Sequence, residues 1–116
     1  MPHTFPIRVY YEDTDAAGIV YYANYLKFAE RARTEALRQV GINQIDLLND
    51  HKLGFVVRHC DIDFLKPARL DDLLTVETHL NMINKISLTM TQLIKCDKET
   101  LVKLEVKLAM VGENMK

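Results

Sequence analysis

The spacing of apolar residues changes period twice along the chain. Apolar and polar residues alternate over 5–11, which predicts a strand with Tyr11 on its apolar face. Over 24–40 the apolar residues are spaced as on one face of a helix. The predicted face of that helix comprises Tyr25, Phe28, Ala29, Ala32, Ala36 and Val40.

Both ends of this helix carry sequence signals. Gly41 follows the last apolar position and suits the left-handed backbone that ends many helices. Asn24, or a residue just before it, is the expected N-cap. A short second helix is predicted over 42–50. Alternation then returns and predicts four further strands, at 55–64, 74–82, 86–91 and 102–110.

The order of these elements predicts the fold class. A long helix and a set of mostly antiparallel strands each have one apolar face, so the helix is expected to pack on one face of the sheet. The sequence therefore predicts an α+β fold in which one long helix packs on the apolar face of a mostly antiparallel sheet of five strands. A length of 116 residues suits a single domain over 1–116.

Charge and composition exclude several kinds of partner. The formal net charge is −1 and like charges form no long run, so nucleic acid is not expected to bind. The sequence has neither a signal-peptide pattern nor an apolar run of the roughly 20 residues that span a bilayer. Cys60 and Cys96 fit no zinc or redox spacing and are expected to be packing residues. Together these features favour the cytoplasm.

The segment 10–22 contains the strongest candidates for chemistry. Asp13 and Asp15 stand two residues apart, just before the long helix. A helix N-terminus offers free N–H groups and a partial positive charge, which suit an oxyanion. A carboxylate facing such a site can attack an acyl carbon or activate a water molecule. The residues alone leave a second interpretation open, in which both aspartates only form turns.

A calcium site is the main alternative for this segment. The spacing Asp-x-Asp-x-x-Gly begins an EF-hand loop, but the pattern then fails. Its fifth position is Ala17, and its twelfth is Asn24 where a bidentate glutamate is needed. A predicted strand precedes the loop, whereas an EF-hand has a helix there. No metal is therefore expected.

Five segments carry a resemblance to a known family. They are 9–15, 18–21, 24–26, 30–35 and 64–72, which read VYYEDTD, GIVY, NYL, ERARTE and FLKPARLDD. In these segments the chain resembles the YbgC branch of the 4-hydroxybenzoyl-CoA thioesterase family. The resemblance implies the hotdog fold, in which a five-stranded antiparallel sheet wraps around one long helix. It also implies hydrolysis of an acyl-CoA to the free acid and coenzyme A. It implies no cofactor, because a thioester carbonyl is electrophilic and its thiolate leaves readily.

The resemblance also implies roles for particular residues. Asp15 falls on the catalytic carboxylate, as a nucleophile or as a general base for water. The backbone N–H near Tyr22 would polarise the thioester carbonyl, and Tyr11 falls on an active-site tyrosine. Many members of the branch have histidine in place of Tyr22, so a role that needs an imidazole does not carry over. The expected substrate-binding residues are Gly18, Val20, Arg58 and Lys66, the last two for the phosphates of coenzyme A.

The resemblance implies a homodimer or homotetramer with the acyl site between subunits. It leaves open whether the acyl donor is coenzyme A or an acyl carrier protein. One alternative function is a non-catalytic acyl-thioester-binding or scaffold protein of the same fold, which the departure at Tyr22 favours. A hydratase is disfavoured, because the chain has no histidine between His3 and His51 to act as its base.

Overall fold

A computed structural model describes residues 2–84 and 86–112. It contains two α-helices, α1 and α2, and five β-strands, β1 to β5. A short 3-10 turn at Tyr11–Asp13 lies between β1 and α1. In chain order the elements are β1 (His3–Arg8), α1 (Asn24–Gln39), α2 (Gln44–His51), β2 (Gly54–Phe64), β3 (Leu73–Ile83), β4 (Ser87–Cys96) and β5 (Glu99–Val111).

The five strands form one antiparallel sheet in the order β1-β3-β4-β5-β2. The first two strands of the sequence therefore lie at opposite edges of the sheet. The central strands β4 and β5 pair along most of their length, from Ser87 opposite Ala109 to Cys96 opposite Glu99. The predicted α+β class is confirmed, with five antiparallel strands and one long helix.

The core lies between α1 and the inner face of the sheet. Phe28, Ala29 and Ala32 of the helix are buried almost completely. The two alanines allow the helix axis to come close to the strands, because a methyl group adds little thickness. The sheet contributes Leu74, Val76, Leu88, Met90, Ile94, Val102, Leu104, Val106 and Leu108 to this core.

A buried polar cluster lies under the middle of α1. The amide of Gln92 donates to the Ala29 carbonyl at 3.0 Å and to the Thr78 hydroxyl at 3.0 Å. Its oxygen accepts from the Arg33 guanidinium at 3.1 Å. Gln92 is fully buried, and these bonds satisfy its side chain at both ends.

The end of α1 differs in part from the prediction. Gly41 has the expected positive φ, at 91°. Val40, predicted on the buried face, is 61% exposed because it lies beyond the last helical residue. Ala36 is only half-buried, and Leu37 fills the core at this end instead.

The start of the helix and the first strand also differ from expectation. The N-cap of α1 is Ala23, and among the described residues no side chain caps the helix there. The strand β1 ends at Arg8, so Tyr11 does not share its apolar face and is 82% exposed. The chain turns away because the Asp13 carboxylate accepts from the Tyr10 N–H at 2.9 Å.

The later strands are longer than the alternation predicted. The apolar pattern weakens toward the end of β3, where Met82 is exposed. Met90, which lies inside β4, is buried. The register of β3 against β4 shifts between Leu80 and Met82, which ends the regular inward alternation. The spacing of the predicted strands also indicates a short turn at 84–85, and residue 85 of that turn lies outside the described residues. No helix in the described ranges is long and apolar enough to cross a bilayer.

Candidate active site

The aspartate loop, defined as residues 14–20, is a tight turn closed by backbone hydrogen bonds. Thr14 pairs with Val20, and the Asp15 N–H donates to the Ile19 carbonyl at 2.9 Å. The Gly18 N–H donates to the Asp15 carbonyl at 3.0 Å, and Gly18 has φ +80°. Glycine is favoured there by its positive φ. Crowding is not the cause, because an added Cβ would meet no described atom within 4 Å.

The carboxylate of Asp15 lies at the exposed corner of this loop. Its Oδ1 accepts from the Ala17 N–H at 2.8 Å, which fixes the orientation of the side chain. Within the described ranges, Oδ2 has no hydrogen-bond partner. An aspartate that bonds the N–H two residues ahead is a common turn former. The same bond also leaves one oriented carboxylate oxygen available to a ligand.

A second segment, 65–72, is hydrogen-bonded to the aspartate loop. The Val20 N–H donates to the Ala68 carbonyl at 2.9 Å, and the Gly18 carbonyl accepts from the Leu70 N–H at 3.2 Å. The Ala68 N–H in turn donates to the buried Tyr25 hydroxyl at 2.9 Å. Burial raises the pKa of Tyr25, so its phenol stays neutral. The loop is therefore fixed to both the 65–72 segment and the first turn of α1.

The start of α1 lies directly after this loop. The Tyr21 N–H donates to the Asp13 carbonyl at 2.9 Å, which brings the residues before Asp15 beside the helix start. In the described part of the chain, the N–H of the next residue, Tyr22, has no acceptor. A free N–H at a helix N-terminus can donate to a carbonyl oxygen that gains negative charge.

A cleft of about 320 Å³ opens beside Tyr22. The Tyr22 ring meets the Phe64 ring edge-on, with their centroids 6.1 Å apart. Lys66 lies at the cleft, where its ammonium pairs with the Glu99 carboxylate. Asp15 does not line the cleft, although its loop neighbours do. The lining residues are Ile19, Val20, Tyr22, Tyr25, Phe64, Leu65, Lys66 and Pro67.

The structure thus brings together only part of the predicted site. Val20, Tyr22 and Lys66 share the cleft. Tyr11 lines a separate hollow, together with Leu70 and Asp71. Arg58 stands at an irregularity in β2 and lines a third hollow on the sheet. The roles of all these residues stay predictions.

Sequence reasoning missed two aromatic residues of the cleft. Tyr25 was expected only as a core residue, and Phe64 only as the end of a strand. The one available signal was chemical, since a buried tyrosine needs a hydrogen-bond partner for its hydroxyl. That partner, Ala68, is 43 residues away in sequence, so no local pattern could identify it.

Comparison with known proteins identifies the family. The sequence model of the thioesterase superfamily matches residues 17–103. The chain belongs to this superfamily. Since the match begins at residue 17, Asp15 lies outside the matched residues. The expected enzyme class, a thioester hydrolase, is confirmed.

Individual relatives agree with this assignment. The chain is 47% identical to acyl-CoA thioesterase YbgC of Haemophilus influenzae, over 93% of this chain and 79% of that protein. It is 46% identical to acyl-CoA thioester hydrolase YbgC of Escherichia coli, over 84% of this chain and 72% of that protein. These matches confirm the resemblance to the YbgC branch.

A solved structure extends the likeness to the fold. A probable thioesterase from Bartonella henselae superimposes with a TM-score of 0.95 at 40% identity. The match covers 100% of this chain and 96% of that one. The predicted hotdog fold is confirmed.

Proposed function

We propose that this chain hydrolyses acyl-CoA thioesters to the free acid and coenzyme A, with residues 1–116 working as one domain. The supporting observation is the Asp15 carboxylate, which is oriented by the Ala17 N–H and belongs to a loop joined to the start of α1 through the Asp13 carbonyl and the Tyr21 N–H. The relatives are named for acyl-CoA, which favours coenzyme A over a carrier protein as the donor. We further propose that the protein is cytoplasmic, where the two free thiols, Cys60 and Cys96, would stay reduced.

The proposed reaction uses the loop and the helix start together. The Tyr22 N–H donates to the thioester oxygen as the tetrahedral intermediate forms. Asp15 either attacks the acyl carbon through Oδ2 or takes a proton from the attacking water. The carbon–sulfur bond breaks, the thiolate leaves, and water supplies the new oxygen of the acid. In the attack route, the water hydrolyses a mixed anhydride on Asp15.

The remaining residues are assigned to binding. Val20 lines the cleft, and Gly18 provides the backbone turn that allows the loop to approach the substrate. Tyr11 stands on the turn that precedes the loop. Lys66 and Arg58 would meet phosphates of coenzyme A. A phosphate must compete with Glu99 for the Lys66 ammonium, and such an exposed pair is worth only about 0.2–1 kcal/mol.

Turnover of a panel of acyl-CoA thioesters tests the proposed function. We expect release of free thiol, followed with a thiol reagent, from at least one aliphatic or aromatic acyl-CoA at about 1 per second or faster. The same acyl group on a carrier protein is expected to react more slowly. Binding of acyl-CoA without thiol release across the panel would contradict hydrolysis and favour the non-catalytic alternative.

We also propose that two copies associate along β2. This strand is an edge of the sheet and has 11 residues, and long bare edges are rare in stable monomers. Its inward-facing Val57 and Phe64 are 50% and 49% exposed, as is expected of side chains that a second copy covers. A homotetramer would need a further interface between such dimers.

A substitution on β2 tests this association. Val57→Asp should convert the protein to a monomer of 13.4 kDa, because an unpaired carboxylate would be buried in the interface. Light scattering after size-exclusion chromatography measures the mass. Leu48→Asp is the matched control, since Leu48 is similarly exposed, at 53%, but lies on α2. A monomeric parent protein, or equal effects of both substitutions, would contradict the assignment.

A further inference from the structure

We propose that Asn24 is a positioning residue, which holds the aspartate loop at a fixed position relative to the start of α1. The inference rests on the proposed function, because it assigns Asn24 to the alignment of Asp15 with the Tyr22 N–H. It also explains why a buried asparagine begins a helix that it does not cap.

The contacts of Asn24 are unusual for a residue at a helix start. A capping side chain accepts a hydrogen bond from a backbone N–H further along the helix. The Asn24 side chain does the opposite, since its amide donates to the Asp13 carbonyl at 2.9 Å. Its side chain therefore points backward along the chain, toward the residues that precede Asp15. Asn24 is only 9% exposed, so this contact is sheltered from water.

The Asp13 carbonyl links three parts of the site. It accepts from the Asn24 amide and also from the Tyr21 N–H, each at 2.9 Å. The Asn24 N–H donates to the Tyr21 carbonyl at 2.8 Å, which closes the ring of contacts. Asp13 stands two residues before Asp15, and Tyr21 stands directly before Tyr22. The ring thus joins the residue two positions before Asp15 to the residue directly before Tyr22.

Two residues of α1, Tyr25 and Asn24, hold the surroundings of the loop through different segments. The Tyr25 hydroxyl accepts from the Ala68 N–H and so fixes the 65–72 segment. Asn24 instead bonds to Asp13, the residue that directly precedes the loop. Among the described residues, it is the one side chain of α1 with a hydrogen bond to the residues between β1 and Asp15. Its loss would let the loop shift relative to the helix.

Removing the Asn24 amide should disturb alignment more than folding. The Asp13 carbonyl keeps its bond from the Tyr21 N–H, so no buried acceptor is left without a partner. A displacement of about 1 Å between reacting groups can reduce a rate by about 100-fold. We therefore expect Asn24→Ala to lower kcat by about 10- to 100-fold and to change KM by less than about threefold.

The matched control is Asn43→Ala. Asn43 caps α2 by accepting from the Ile45 and Asp46 N–H groups, and it has no contact with the aspartate loop in the described structure. Asn43→Ala should lower the urea midpoint of unfolding and leave kcat of the folded enzyme within about twofold. If Asn24→Ala also leaves kcat within twofold of the parent enzyme, the inference is overturned.

A double substitution separates positioning from general damage. In an Asp15→Asn background, Asn24→Ala should change the residual turnover by less than about threefold, because the group that it aligns is already lost. An equal loss in both backgrounds would show that Asn24 acts on the fold and would overturn the inference.

A readout without substrate keeps this test separate from the proposed function. Unchanged turnover in Asp15→Asn alone would defeat the mechanism but not the structural link. Amide hydrogen exchange at Tyr21, which shares the Asp13 carbonyl with Asn24, then decides. Exchange at least about tenfold faster in Asn24→Ala than in Asn43→Ala supports the link, and equal rates overturn it.

Discussion

Asp15→Asn is expected to lower kcat for acyl-CoA hydrolysis by about 10²- to 10⁴-fold. Asparagine keeps the side-chain oxygen that accepts from the Ala17 N–H, so the loop should keep its shape. The amide cannot act as a nucleophile or accept a proton from water at neutral pH. The loss should therefore appear in kcat, measured as initial thiol release at saturating acyl-CoA.

Two further aspartates serve as controls for this variant. Asp13→Asn should cost at most about tenfold in kcat, because an amide oxygen can still accept from the Tyr10 N–H. Asp50 lies on α2, so Asp50→Asn should leave kcat unchanged. Parent-like turnover in Asp15→Asn, or a larger loss in Asp13→Asn than in Asp15→Asn, would refute the assignment of Asp15.

The second large effect concerns stability. Phe28→Ala is expected to lower the free energy of unfolding by about 3–5 kcal/mol. Phe28 is 1% exposed and packs edge-on against Tyr25, with ring centroids 6.2 Å apart. The alanines beside it cannot fill the resulting cavity, because they are short and fixed on the same helix. Urea unfolding at one fixed protein concentration measures the change.

Leu26→Ala is the comparison for this core substitution. Leu26 lies in the same helix but is 48% exposed, so it should cost less than about 1.5 kcal/mol. A loss below 1 kcal/mol in Phe28→Ala would mean that α1 does not pack on the sheet as described. A similar loss in both variants would point to helix propensity rather than burial.

Periodicity was sufficient for the elements but not for their ends. The 3.6-residue spacing gave α1 within one residue, since its apolar face had to meet the sheet. It could not show that Val40 is exposed, because a residue that flanks the helix end is no longer held on the face that packs on the sheet. The end of β1 was similarly missed, because the Asp13 carboxylate redirects the chain through a local bond.

The candidate site was predictable only where it is local. The aspartate loop is one continuous segment, so its residues and their order were readable directly. The cleft combines that loop with Phe64 and Lys66, which the hydrogen bonds between the loop and the 65–72 segment bring near. Alternation indicates which face a residue takes but not which distant residue lies opposite. The position of Arg58 relative to the cleft was open for the same reason.

The buried Gln92 has a consequence for how α1 sits on the sheet. The buried face of α1 combines Ala29 and Ala32 with the larger Phe28, and apolar contacts of this kind have no preferred direction. The Gln92 oxygen accepts from the Arg33 guanidinium at 3.1 Å, and this bond depends on one particular side chain of the helix. A slide by one turn, about 5.4 Å, would carry Arg33 away and leave the buried Gln92 oxygen unsatisfied. Gln92 thus fixes the position of α1 along the sheet, and with it the distance between the helix start and the sheet.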